Sequence, residues 1–212
     1  MVNLAIMDQI IVHADRALRT AAGSIGQTPR SSPATGMKEE LNSQEDKRHA
    51  AALMRINHTG EVCAQALYHG QAFTAKSKGV AESMKQAAEE ETDHLSWCET
   101  RLKELDSRVS YLNPFWYVSS FIMGATTGLM GDKINLGFVA AVEDGVCKHL
   151  EEHLQSLPEN DEKSRVVLTQ MKIDEEHHKD TALASGGSEF PAPVKSAMNL
   201  VSKVMTKSTY WV

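Results

Sequence analysis

The sequence predicts an all-α protein built around a four-helix bundle. Apolar residues recur at helical spacing from about residue 44 to residue 208, and no strand-like alternation persists. Four stretches also place a carboxylate on an otherwise apolar helical face, where an uncompensated charge is costly. With 212 residues, of which 42% are hydrophobic, the chain is long enough for one domain with a substantial core.

Composition excludes several classes of protein. The net charge is -6 and the basic residues are not clustered, so a nucleic-acid partner is not indicated. Cys63, Cys98 and Cys147 are widely spaced without a CxxC motif, which favours a reducing compartment. The charged residues scattered through 1–20 fit neither a secretory signal nor a transit peptide.

The chain divides into three segments. Residues 1–20 predict an amphipathic helix, 21–43 a linker rich in Gly, Pro, Ser and Thr, and 44–212 the bundle domain. Ser43 followed by Asp46 resembles a capping box at the start of the first long helix. The remaining pattern predicts helices over about 44–78, 80–106, 133–157, 159–184 and 192–208.

The stretch Leu112–Gly131 contains no charged residue and is just long enough to span a bilayer. Asn113, Pro114 and three glycines inside it argue against a span. We therefore expect a partly buried helix, or one that lies in the membrane interface, where Trp116 and Tyr117 would suit the depth.

Six residues form the candidate metal site. Glu143 and Glu61 are single carboxylates on apolar helical faces, and two ExxH pairs each place a carboxylate and an imidazole one turn apart. The candidate ligands are Glu61, Glu91, His94, Glu143, Glu175 and His178. About one ExxH pair is expected by chance in a chain of this composition, so the presence of two pairs does not by itself predict a metal site.

Helical phase and order along the chain carry the prediction. Both ExxH pairs share their faces with apolar residues, and each is preceded by its single glutamate at a similar distance, Glu61 before Glu91 and Glu143 before Glu175. One Glu from each of two helices and ExxH from the other two is the ligand set of ferritin-like di-iron or di-manganese bundles. Hard carboxylates with imidazole favour iron or manganese. We therefore predict a ferritin-like four-helix bundle with extra interfacial and terminal helices.

Position suggests the role of each ligand. Glu91 and Glu175 would bridge two ions, and the single glutamates of the other two helices would be terminal ligands. Each imidazole would bind one ion. Asp174 and Glu90 immediately precede the ExxH glutamates, so each could fix an imidazole of the facing helix through its second nitrogen. For Glu90, a solvated place in the acidic run 89–91 is equally well supported.

The sequence resembles the demethoxyubiquinone hydroxylases, di-iron monooxygenases of ubiquinone biosynthesis, in their proteobacterial form. The resemblance covers most of the chain, and all six candidate ligands fall on matching positions. The stretches that carry it are ALRT (17–20), MRINHTGEVCAQALYHGQA (54–72), EETDHLSWCETRLKEL (90–105), LNPFWYVSSFIMGATTGLMGDKINLGFVAAVEDGVCKHL (112–150) and MKIDEEHHKDTA (171–182).

The resemblance implies an oxidoreductase with two iron ions per chain that hydroxylates the ring of a polyprenylated demethoxy-benzoquinol with O2. It implies an external electron donor and a peripheral place on the cytoplasmic face of the bacterial inner membrane. Homo-oligomers and complexes with other proteins of ubiquinone biosynthesis stay open. A ferritin-like iron-storage or ferroxidase protein is the alternative, because it would share the metal ligands.

Overall fold

The computed structural model describes residues 15, 18–20, 28 and 30–212, so most of the predicted helix 1–20 and the first part of the predicted linker lie outside the described residues. All regular structure in the described part is helical, which confirms the predicted fold class. The helices are α1 (Gln44–Thr74), α2 (Lys78–Glu104), α3 (Asn113–Met130), α4 (Asp132–Ser156), α5 (Glu162–Ala184) and α6 (Ala192–Trp211).

The bundle consists of α1, α2, α4 and α5. The hairpins α1–α2 and α4–α5 each pack as antiparallel neighbours, and α3 is the crossover that returns the chain along α1 so that α4 runs parallel to α2. This is the connectivity of ferritin-like bundles, which contain one long crossover. Helix α6 packs across α1 and α4.

Glycines set how closely the crossover helix approaches the bundle. A Cβ atom added at Gly124 of α3 would lie 2.1 Å from the carbonyl oxygen of Leu67, and one added at Gly70 of α1 would lie 2.2 Å from that of Phe121. Because backbone atoms cannot move aside as a flexible side chain can, only glycine fits at these two positions. The uncharged composition of α3 thus reflects close packing on one face as well as apolar exposure on the other.

Two of the apolar clusters in the described part of the chain fill the bundle at different heights. One contains Met54, Cys98, Leu150 and Leu168, and the other contains residues such as Tyr68, Ala88, Val139 and Ala182. Along each of the four bundle helices, the predicted metal ligands lie between the residues of one cluster and those of the other. The helical phase of the sequence therefore places the ligands in a layer that is closed by apolar side chains above and below.

The boundary between α1 and α2 differs from the prediction of a helix to residue 78 that ends at Gly79. Helix α1 ends at Thr74, and Ser77 caps α2 by accepting a hydrogen bond from the backbone N–H of Val80. The carboxylate of Asp132 accepts the backbone N–H groups of Lys76 and Ser77, both at 3.0 Å. This contact comes from the start of α4, so the local pattern could not reveal it.

The described part of the predicted linker is packed against the bundle. Glu39 forms an ion pair with Arg101 of α2, whose guanidinium is buried and also contacts Asp161 at 2.8 Å. Asp161 in turn caps α5 by accepting the N–H of Ser164 at 3.0 Å. A buried arginine needs this complete set of partners, and it ties the linker to the ends of two bundle helices.

Candidate metal centre

Four of the predicted ligands meet at one point in the interior. Each of these four buried residues offers one ligand atom, and the four atoms all lie within 4.8 Å of one another. The residues are Glu61, Glu91, His94 and Glu175. The Nδ1 atom of His94 lies 3.0 Å from Glu91, 3.1 Å from Glu175 and 3.5 Å from Glu61. Three helices thus converge on a single imidazole.

The other two predicted ligands complete the same layer. The Nδ1 atom of His178 lies 3.0 Å from Glu175 and 3.3 Å from Glu91, so the two ExxH pairs are joined by reciprocal contacts. Glu143 is fully buried, and its Oε1 accepts a short hydrogen bond from the hydroxyl group of Tyr68. Its Oε2 has no hydrogen-bond partner among the described residues. We call these six residues the Glu/His layer.

Two carboxylates outside the Glu/His layer orient the imidazoles. The Nε2 atom of His94 lies 3.0 Å from Asp174 of α5, and that of His178 lies 2.7 Å from Glu90 of α2. Each imidazole is therefore held by the facing helix and directs Nδ1 at the buried carboxylates. Asp174 is itself held at 2.8 Å by the guanidinium of Arg30, which precedes the bundle.

Burial and close charges shift the pKa values of several residues in the Glu/His layer away from their usual range. Burial, together with neighbouring carboxylates, raises the pKa of Glu61 and Glu143 well above their usual range. Burial opposes ionisation of Glu91 too, but hydrogen bonds from the two imidazoles hold its pKa well below the usual value. Against the opposing effect of burial, hydrogen bonds to Glu175 and Glu91 raise the pKa of His178 to about 12.

Cations bound in the Glu/His layer would offset the repulsion between its carboxylates. Four carboxylates at one depth repel one another, and the unpartnered Oε2 atom of Glu143 is available to a positive ligand. Oxygen donors with two imidazoles, and no thiolate among them, are the chemistry that iron and manganese prefer. The residues present therefore fit a buried metal site that the Glu/His layer forms.

An apolar cleft of about 340 Å³ leads from Glu61 towards the surface between α1, α3, α4 and α6. Exposed apolar residues of α3 and α6, Met123 and Val201 among them, lie at its mouth. Three residues that line the cleft each have a buried side-chain nitrogen without a partner in the described part of the chain: Asn57 (Nδ2), Trp116 (Nε1) and His149 (Nε2). The cleft thus offers a mainly apolar route to one edge of the metal site.

The outward faces of α3 and α6 carry many exposed apolar side chains: Phe115, Val118, Ile122, Leu129 and Met130 on α3, and Val194, Leu200, Val204 and Trp211 on α6. None of the helices in the described ranges is both long and apolar enough to cross a bilayer.

Two residues that contribute to the site, Tyr68 and Arg30, were not predicted from the sequence. Tyr68 lies two turns after Glu61 on the same face of α1, and a hydroxyl group on that apolar face was a signal that could have identified it. Arg30 falls in a segment that reads as a linker, and no local pattern connects it with Asp174. Of the histidines outside the Glu/His layer, His58, His69 and His153 are buried, and His177 is exposed.

Comparison with known proteins gives a consistent result. A family profile described as "Ubiquinone biosynthesis protein COQ7" matches residues 48–209, which include the whole Glu/His layer. A 3-demethoxyubiquinol 3-hydroxylase of Pseudomonas fluorescens is 60% identical over 204 residues, which cover 96% of this chain and 95% of the relative. Proteins of the same name from Pseudomonas aeruginosa and Azotobacter vinelandii are 59% and 60% identical, again over 96% of this chain and over 95% and 94% of their own lengths.

Proposed function

The chain belongs to the family of the ubiquinone biosynthesis protein COQ7 and is a 3-demethoxyubiquinol 3-hydroxylase, and we propose that it works through two iron ions bound by the Glu/His layer. The observation that carries the proposal is the convergence of Glu61, Glu91 and Glu175 on the two imidazoles, with the buried Glu143 close enough to interact electrostatically with the same group. This set matches the requirements of a dinuclear site in a helical bundle.

In this proposal Glu91 and Glu175 would be shared by the two ions, since each carboxylate contacts both imidazoles. Glu61 and Glu143 would each hold one ion, and each imidazole would bind one ion through Nδ1. Bound in the ferrous state, the two ions would supply the two electrons with which O2 is split between a new ring hydroxyl group and water. An external donor must return those electrons in each cycle.

The protein's own residues prepare this chemistry. Asp174 and Glu90 accept hydrogen bonds from the Nε2–H groups of the imidazoles and so fix which nitrogen faces the centre. The hydroxyl group of Tyr68 donates a hydrogen bond to Glu143 and limits the movement of that carboxylate. The two apolar clusters exclude water on both sides of the Glu/His layer, which strengthens each electrostatic contact inside it.

We assign the cleft beside Glu61 to the quinol ring and the first part of its prenyl tail. The cleft reaches a proposed iron ligand at one end and opens between exposed apolar faces at the other, so the tail can stay in lipid while the ring approaches the iron. The outward faces of α3 and α6 would then rest on the membrane, and the protein would bind peripherally to the cytoplasmic face of the inner membrane.

The decisive experiment is single-turnover hydroxylation by the purified protein. After anaerobic loading with Fe(II), the protein should hold about two irons per chain, and addition of ¹⁸O2 and the demethoxy quinol should place one ¹⁸O atom in the ring. An iron-storage protein would load far more iron and leave the quinol unchanged. Loading with two irons but no ring hydroxylation would contradict the proposal.

Glu143→Gln tests the role of one ligand within the same experiment. The amide oxygen can still accept the hydrogen bond from Tyr68, but the charge that binds a cation is lost. We expect iron content to fall to about one per chain and hydroxylation to be lost, while helical content by circular dichroism is retained because the apolar faces stay buried. Normal turnover by this variant would remove Glu143 from the ligand set.

A further inference from the structure

The cleft beside Glu61 contains two buried N–H donors whose hydrogen bonds are unused. Asn57 is only 5% exposed, and neither its Nδ2 atom nor the Nε1 atom of Trp116 has a partner among the described residues. Both side chains line the cleft. Buried donors in folded proteins are nearly always satisfied, so two unsatisfied donors in one cleft indicate a ligand with oxygen acceptors.

The amide of Asn57 has a fixed orientation. Its Oδ1 atom lies 2.9 Å from Nδ1 of His153, and because the amide oxygen can only accept, the imidazole must be the donor. The Nδ2 group is therefore the end that has no partner among the described residues. A donor fixed in this way loses little conformational freedom when a ligand binds, which favours binding.

The two donors also lie in suitable places. Asn57 precedes Glu61 by one turn on the same face of α1, and Trp116 belongs to the neighbouring helix α3. A ring placed between them would lie beside a proposed iron ligand. Apolar contacts alone would hold such a ring without defining its rotation, whereas hydrogen bonds from two helices would define which ring carbon faces the metal site.

We propose that Asn57 Nδ2 and Trp116 Nε1 donate hydrogen bonds to oxygen atoms of the quinol ring and thereby select the ring position that is hydroxylated. This inference rests on the proposed function, because the ligand it assigns to the cleft is the substrate of that reaction. The ring oxygens are the only acceptors on such a substrate, since the prenyl tail is a hydrocarbon.

The test compares Asn57→Leu and Trp116→Phe with the wild-type protein. Leucine keeps the branched shape of asparagine without its amide, and phenylalanine keeps an aromatic ring without the N–H group. We expect each variant to bind a short-tailed 2-methoxy-1,4-benzoquinone about tenfold more weakly in isothermal titration calorimetry, which corresponds to about 1.4 kcal/mol. Iron content should stay at the wild-type level, because neither residue is a proposed ligand.

Asn135→Leu is the matched control. Asn135 of α4 is fully buried and also has an unpartnered Nδ2 atom, but it does not line the cleft. This variant reports the general cost of removing a buried amide, and its quinone affinity should equal that of the wild type. Affinity lost equally in Asn135→Leu and Asn57→Leu would mean a structural effect and would overturn the inference.

The remaining outcomes separate the two proposals. If the wild type hydroxylates the quinol but Asn57→Leu and Trp116→Phe bind the quinone within about twofold of it, the donors do not hold the ring and this inference fails. If the wild type neither binds nor hydroxylates the quinol, the proposed function itself fails. Should Asn57→Leu be too unstable to purify, Trp116→Phe alone decides, because it preserves the aromatic packing.

Discussion

At the residue scale, each imidazole has one nitrogen that faces the Glu/His layer and one that faces away from it. The contact of the outer nitrogen fixes the orientation of the ring, and therefore the position of the inner nitrogen. His94 and His178 each present Nδ1 to the carboxylates because Nε2 is engaged by a carboxylate of the facing helix. Asp174 is the better supported of the two, since Arg30 and Gln170 also hold it. Glu90 is more exposed and, besides its contact with His178, accepts a hydrogen bond from Gln86 of its own helix.

Glu90→Ala should therefore weaken iron binding without removing a ligand. Loss of the acceptor frees the imidazole of His178 to rotate, and changes of this kind typically cost about 10- to 100-fold in metal affinity. Competition with a coloured Fe(II) chelator measures the change. The neighbouring Glu89→Ala is the control, because Glu89 is exposed in the same acidic run and should bind iron as the wild type does.

If both alanine variants bind iron equally well, Glu90 is simply a solvated member of the acidic run 89–91. The sequence alone supported that alternative equally well, because only the contact with α5 distinguishes Glu90 from its neighbours. The inward placement of the six candidate ligands was predictable for the opposite reason. Each lies on a helical face whose apolar character is visible locally, so the phase of the helix directs it inward.

At the scale of the helices, the sequence predicts the existence and type of each element well, and their ends less well. Helix α4 begins and ends within one residue of the predicted span, since Pro158 marks its end. The turn between α1 and α2 depends on Asp132, which is more than fifty residues away along the chain. Contacts of this range leave no periodic signal in the local sequence.

Gly124→Ala tests the close contact between α3 and α1. The added Cβ atom would meet the carbonyl oxygen of Leu67, so the two helices must separate, and overpacking of this kind costs about 1–3 kcal/mol. The midpoint of urea unfolding of the metal-free protein measures the change.

Gly79→Ala is the control, because a Cβ atom at that position in α2 meets nothing within 4 Å. Its effect should be neutral, or stabilising by up to about 1 kcal/mol through reduced freedom of the unfolded chain. A Gly124→Ala protein that unfolds at the wild-type midpoint would show that α3 can shift at no cost, and that glycine is not required there.

At the scale of the whole molecule, the two apolar regions of the surface meet at the entrance to the cleft. Met123 of α3 and Val201 of α6 are both exposed and both line the cleft, so a prenyl tail that leaves the site emerges between the two helices. The lack of charge in 112–131 indicated an interfacial helix. That α3 and α6 line the same cleft is a tertiary feature that no single segment of the sequence displays.

Membrane binding through this surface leads to a prediction with a closely matched control. Ile122 on α3 is 58% exposed beside the mouth of the cleft, whereas Ile173 on α5 is 55% exposed elsewhere on the bundle. Ile122→Ser should weaken binding to liposomes of bacterial inner-membrane lipids by about 5- to 30-fold, since about 1–2 kcal/mol of apolar burial is lost. Ile173→Ser makes the same chemical change outside the proposed contact and should bind as the wild type does. Flotation of the iron-loaded protein with liposomes measures both, and equal binding by the two variants would place the membrane contact on another surface.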